Sequence, residues 1–187
     1  MLRLLSVLLL VIGSAHAAPL TEREAEGFIT VLEEMKVYAD ENEDVDFDID
    51  LDMEDDPAGA MDMLLSEDGK IVFMSSLAER LAGHPEAGQP FRASVKRNGF
   101  SSMESFGEAG DRFMAAFMRS EMSKGELKDM REAANMSDAE LQYVPAKMRS
   151  MLKRMSSLAD NLDAVPDSDL AMVKKLKPRL EALSEEE

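Results

Sequence analysis

Cysteine and tryptophan are absent from this chain, histidine occurs twice, and aromatic residues make up 5% of it. Without a thiol there is no disulfide scaffold, no cysteine nucleophile, no thiolate zinc or iron–sulfur site and no covalently attached haem. Positive charge is scarce too. There are 21 Lys and Arg against 38 Asp and Glu, a formal net charge of −17. That balance argues against nucleic acid, because binding phosphates takes a concentration of Lys and Arg.

Catalytic signatures are also missing. No Gly-x-Ser-x-Gly elbow, Walker loop, Gly-x-Gly-x-x-Gly or His-Glu-x-x-His occurs. A serine hydrolase would depend on His84 as its base, and a carboxylate-pair glycosidase needs a sugar cleft of the aromatic kind this composition hardly supplies. Asp111-Arg112, inside an apolar stretch, is the one polar pair to watch. Pairing of that Arg with a neighbouring helix is the simpler reading. The chain is therefore expected not to be an enzyme and to carry no cofactor, and no catalytic, cofactor-binding or metal-binding residue is assigned.

The single long apolar run lies at the start. Arg3 precedes Leu4-Leu5-Ser6-Val7-Leu8-Leu9-Leu10-Val11-Ile12, and Gly13-Ser14 and Ala15-His16-Ala17 follow. One positive charge, a short apolar segment and a small-x-small site form a secretory signal peptide. The run falls short of the ~20 residues that span a bilayer, and no second candidate follows, so no stable membrane insertion is expected. Residues 1–17 are read as a signal peptide cleaved after Ala17, with the periplasm as destination.

What is present is unevenly spread. Half of the 38 acidic residues fall between Ala18 and Gly69, against two of the 21 basic ones, Arg23 and Lys36. The rest of the chain is nearly neutral, and Val144 to Leu180 is net basic through residues such as Lys153, Arg154, Lys175 and Arg179. Such asymmetry has three physical outlets: internal docking, a basic partner or cations. Within the acidic part, Val45, Phe47, Ile49, Leu51 and Met53 alternate with Asp46, Asp48, Asp50 and Asp52. Period-two alternation describes an extended segment, not a helix. An EF-hand is excluded. Starting at Asp44 puts Ile49 where the loop needs Gly, and starting at Asp46 puts Pro57 where it needs a carboxylate.

The remainder reads as short capped helices, an all-α fold of five to seven amphipathic helices with an acidic extended insert. Residues 18–56 hold an N-terminal helix plus the acidic arm, and residues 57–187 form a helical domain with a frayed acidic tail. Thr21-Glu22-Arg23-Glu24 is a capping box for a helix to about Tyr38. Asp56-Pro57 starts a second helix, taken to run through Asp68-Gly69 to about Leu81 in preference to a small hairpin. A short helix is expected from Phe91 to Arg97, stopped by Asn98-Gly99. Ser101-Ser102-Met103-Glu104 caps another, ending near Met122. Ser137-Asp138-Ala139-Glu140 repeats the device, and a last helix runs from about Asp167 to Leu183, weakened by Pro178.

Leu141, Val144, Met148, Met151, Met155, Leu158 and Leu162 keep a 3–4 spacing, a heptad seam that Pro145 bends or restarts. The seam closes either an internal pair or a homodimer. Methionine is abundant, with 16 residues. Met114, Met118 and Met122 share one helix face, Met148, Met151 and Met155 stack similarly, and Met61 and Met63 form a close pair. Thioethers bind soft Cu(I), but a Met stripe at helical spacing is more often core. Flexible Met side chains also suit adaptable recognition.

The expected function is thus non-catalytic binding of a protein or peptide by a Met-rich amphipathic surface, chaperone- or adaptor-like. The alternatives are divalent-cation binding by the acidic arm and Cu(I) binding by Met clusters. Leu20-Thr21-Glu22-Arg23 departs from the Leu-Thr-x-x-Gln of small helical periplasmic stress chaperones by Arg in place of Gln. Through Asn98-Gly99-Phe100, Gly110-Asp111-Arg112-Phe113-Met114-Ala115-Ala116, the signal peptide and the final helix, the chain resembles a family of small exported helical proteins of Gram-negative bacteria. That resemblance implies architecture and location, and no activity.

Overall fold

Thr21 opens the first helix as its pattern predicts. Its hydroxyl accepts the Glu24 N–H at 3.2 Å, and the Glu24 carboxylate accepts the Thr21 N–H at 2.8 Å. Two N–H groups that a helix start leaves orphaned are thereby satisfied reciprocally. The computed structural model describes residues 19–42, 57–134 and 143–184. These contain eight helices where five to seven were expected: α1 (Glu22–Glu41), α2 (Pro57–Leu64), α3 (Phe73–Gly83), α4 (Gly88–Arg97), α5 (Met103–Glu121), α6 (Lys124–Ala134), α7 (Ala146–Asp163) and α8 (Asp167–Ser184). The all-helical class holds. The signal segment, the acidic insert with its alternating Asp residues, Leu141, the Ser137 cap and the acidic tail lie outside the described residues.

The long helix expected from Pro57 to Leu81 is broken. Leu65 and Ile71 pair in an antiparallel bridge around Asp68-Gly69, and Gly69 has φ +72°. An α-helix does not pass through a left-handed residue, and only glycine adopts that conformation without a Cβ penalty. Ser66 locks the turn, donating to Asp68 at 2.6 Å and accepting the Lys70 N–H at 3.0 Å. The 3–4 spacing of Met74, Leu77 and Leu81 belongs to α3 alone. A Cβ on Gly69 would stand 2.6 Å from Ser157 Cβ, so the turn's tip is seated directly on α7.

Three smaller corrections follow from local chemistry. Helix α4 starts at Gly88, ahead of the expected Phe91, because Pro90 falls in the first turn, where its missing N–H is not needed. The cap of α5 is Ser102 with Ser105, one residue later than the Ser101–Glu104 frame. Helix α6 was not expected at all. Ser123 and Glu126 form a reciprocal cap there, at 2.7 and 3.2 Å, but Gly125 and few apolar residues hide its period. The stop after α4 is as read: Gly99 has φ +92°, and the Gly99 and Phe100 N–H groups close on Lys96 and Val95 carbonyls.

Helix α5 is the centre of the main core. Phe106 meets Phe28 of α1, Phe91 of α4 and Phe100, with ring centroids 5.3–5.4 Å apart. Gly107 and Gly110 let α3 approach, since a Cβ there would stand 2.6 Å from Ser75 Cα and 2.7 Å from Met74 Cβ. Val173 and Leu176 of α8 complete this cluster. A second, smaller cluster joins Leu65, Leu127 of α6, and Leu158 and Leu162 of α7. The start of the described chain is tied down as well. The Leu20 N–H donates to the buried Asp169 carboxylate at 3.0 Å.

Candidate functional site

The heptad stripe of α7 has two halves with different fates. At about 100° per residue, Met148, Met151, Met155, Leu158 and Leu162 share one helix face. Leu158 and Leu162 are 6% and 1% exposed and pack on Leu127 and Leu65. Arg131 of α6 clamps that end, donating to Asp160 at 2.7 Å and Asp163 at 2.9 Å. The seam therefore closes internally over its C-terminal part. Toward the N-terminus the same face is bare: Met148 is 54% exposed and Met151 47%, with Met155 half-buried. Pro145 ends the seam's continuity, since α7 starts behind it, leaving Val144 half-buried and Tyr143 85% exposed just ahead of the helix.

Helix α7 also carries cations. Arg149 and Lys153 are exposed on the side away from the stripe, at about 100° per residue, and neither forms an ion pair among the described residues. Arg154, which flanks the stripe, pairs with Asp62 of α2. The bare stripe thus offers polarizable, flexible thioethers to a partner. In the Met114–Met118–Met122 stripe, Met114 lies against the main core and Met122 against the smaller one, with Met118 exposed between them.

Other candidates resolve into structural roles. Arg112 pairs with Glu24 of α1 at 3.0 Å, the interhelical pairing expected of it. Burial would raise the Glu24 carboxyl, but hydrogen bonds from Thr21 and the Arg112 guanidinium outweigh it and hold Glu24 below the usual range. Asp111 accepts the Met74 N–H at 2.7 Å, the Ser75 N–H at 3.3 Å and the Ser75 hydroxyl. It caps α3 from across the interface, where Val72 offers no side-chain cap. Burial pushes the Asp111 carboxyl up, against the pull of those hydrogen bonds. His84 Nδ1 accepts the Ala87 N–H at 3.1 Å, holding the turn into α4.

An open cleft of about 630 Å³ between α1 and the end of α4 is lined by Glu22, Arg23, Glu26, Arg97 and Asn98 among others. Most of its charges are already paired: Arg97 with Glu34 at 2.5 Å, and Glu22 and Glu26 with Lys175. Those last pairs also show where much of the basic C-terminal surface goes. Lys175 and Arg179 of α8 meet Glu22, Glu26 and Glu33 of α1, and Lys177 meets Glu121 of α5. Among the described residues, no group of three or more His, Asp or Glu is placed to hold a metal ion, and no helix is long and apolar enough to cross a membrane. No protein family, curated protein or solved structure matches this chain.

Proposed function

We propose that the chain is an exported, periplasmic binding protein that acts without catalysis, holding an acidic, apolar polypeptide segment against the N-terminal half of α7. The observation that carries this reading is the bareness of Met148 and Met151 on a stripe whose continuation is buried, on a helix that also exposes Arg149 and Lys153. Grouped exposed apolar side chains on a folded protein mark interaction surfaces. Unbranched thioethers repack around varied partners, and the exposed cations of the same helix favour an acidic one and speed its approach. Support for export comes from the signal pattern and from the resemblance to exported helical proteins.

The test is calorimetric titration of the full chain with a synthetic peptide alternating Asp with Leu and Phe, at low and physiological salt. Saturable binding that weakens with salt is expected. Reversing charge in an Arg149→Glu/Lys153→Glu variant should weaken it about tenfold, with the helical circular dichroism unchanged. No binding by the unaltered chain, or equal binding by the reversed variant, overturns the reading. Sedimentation of the chain alone separates a homodimer through this face.

A further inference from the structure

Along the α7 stripe, residue type changes where burial changes. Its packed end is leucine, Leu158 and Leu162, and its bare end is methionine, Met148 and Met151. Leucine would supply the same apolar area at a bare position. What methionine adds is chemistry at sulfur.

We infer that Met148 and Met151 form an oxidation-sensitive site. Hydrogen peroxide converts these thioethers to sulfoxides ahead of the buried methionines and so turns the bare face of α7 polar. In each step a sulfur lone pair attacks a peroxide oxygen, the O–O bond breaks as the S–O bond forms, and sulfur is oxidised while peroxide is reduced. The departing hydroxide takes the proton from the transferred oxygen and leaves as water. The product is a polar, chiral side chain in place of a flexible apolar one.

The rest of the molecule provides the contrast. Met74 is 4% exposed in the main core. Met61, Met122 and Met130 are partly buried against the smaller cluster. Met63 sulfur already accepts a contact from Arg80 at 3.4 Å. Met118, at 37% exposure, stands between the extremes. Because Met148 and Met151 do not hold the fold together, their oxidation should leave the helices standing. Oxidation of Met74 would not.

The modification stands on exposure alone; its regulatory consequence rests on the reading of α7 as a binding face. The experiment treats the full chain with graded hydrogen peroxide and maps each sulfoxide by peptide mass spectrometry. It also follows the fluorescence of anilinonaphthalene sulfonate, an anionic apolar dye suited to this face. A Met148→Leu/Met151→Leu variant, apolar but not oxidisable, runs beside it. Met148 and Met151 should oxidise about tenfold faster than Met74, without loss of helical signal. Dye fluorescence should fall severalfold in the unaltered chain and persist in the Leu variant. Equal oxidation rates at the three positions overturn the site, and so does an equal dye response in the two proteins. The acidic-peptide titration is repeated on oxidised protein. Undiminished binding there overturns the switch and leaves the binding face. Failure of the untreated chain to bind, with mapping and dye as expected, overturns the peptide reading and leaves the site.

Discussion

Asp111 shows how one side chain joins two helices. It belongs to α5, yet its carboxylate takes the Met74 and Ser75 N–H groups at the start of α3. Asp111→Ala should cost about 1–2 kcal/mol, as loss of a helix cap does, while Asp111→Asn, which keeps an acceptor oxygen, should cost less. The pH dependence has a definite sign. Burial raises the Asp111 pKa in the folded protein, so its contribution is complete below the unfolded value and is lost as pH rises through the folded one. Glu24 and Glu34 act oppositely. Burial opposes their charge, but hydrogen bonds and Arg partners hold both low, so their stabilisation is lost as pH falls through their lowered values. Urea midpoints measured from about pH 3 to 7 should therefore show Asp111→Asn gaining on the unaltered chain as pH rises. A constant gap would remove the assignment.

The helix as a unit is best seen in α7, whose heptad stripe was legible from Met148 to Leu162 but whose burial was not. Periodicity reports that a face is apolar, and says nothing about whether a neighbour extends far enough to cover all of it. Leu127 of α6 and Leu65 of the turn reach the C-terminal half only. Leu158→Ala should accordingly cost about 2–4 kcal/mol, through lost transfer energy and a cavity. Met151→Ala should stay within about 0.5 kcal/mol, as exposed substitutions do. Denaturant unfolding of the two variants decides, and similar costs would mean that the stripe is buried along its length. Helix α6 itself escaped the sequence for a related reason. Its cap at Ser123 and Glu126 was readable, but among the described side chains Leu127 is its one fully buried apolar anchor.

At the scale of the molecule, the two apolar clusters differ greatly in size. The main one gathers α1, α3, α4, α5 and α8 around Phe106, and the smaller has four buried leucines at α6, α7 and the Gly69 turn. Few buried contacts mean a low cost of local opening. Hydrogen exchange followed by mass spectrometry should find amides of α6 and α7 exchanging well ahead of those in α5. Equal protection would make the clusters one cooperative unit. Charge is organised at this scale too. The asymmetry between an acidic front and a basic end is met in part by α1 lying on α8, with Glu33 held by Arg179 at 2.5 Å. These pairs are half-exposed, so each adds little stability; together they favour one register for the two helices.

The sequence by itself determined what local chemistry controls: the helical class, the Thr21–Glu24 cap and the Gly99 stop. Each depends on hydrogen bonds and dihedral preferences spanning a few residues, and these act whatever the rest of the chain does. Tertiary structure decided the rest. Asp68-Gly69 sits in a 3–4 pattern compatible with a helix, and becomes a turn because its tip seats on α7 at Ser157. Met148 and Met151 lie on the same stripe as Leu158 and Leu162, and only the extent of a neighbouring helix separates exposed thioethers from core. Burial belongs to a pair of surfaces, so it is settled where the chain returns to itself.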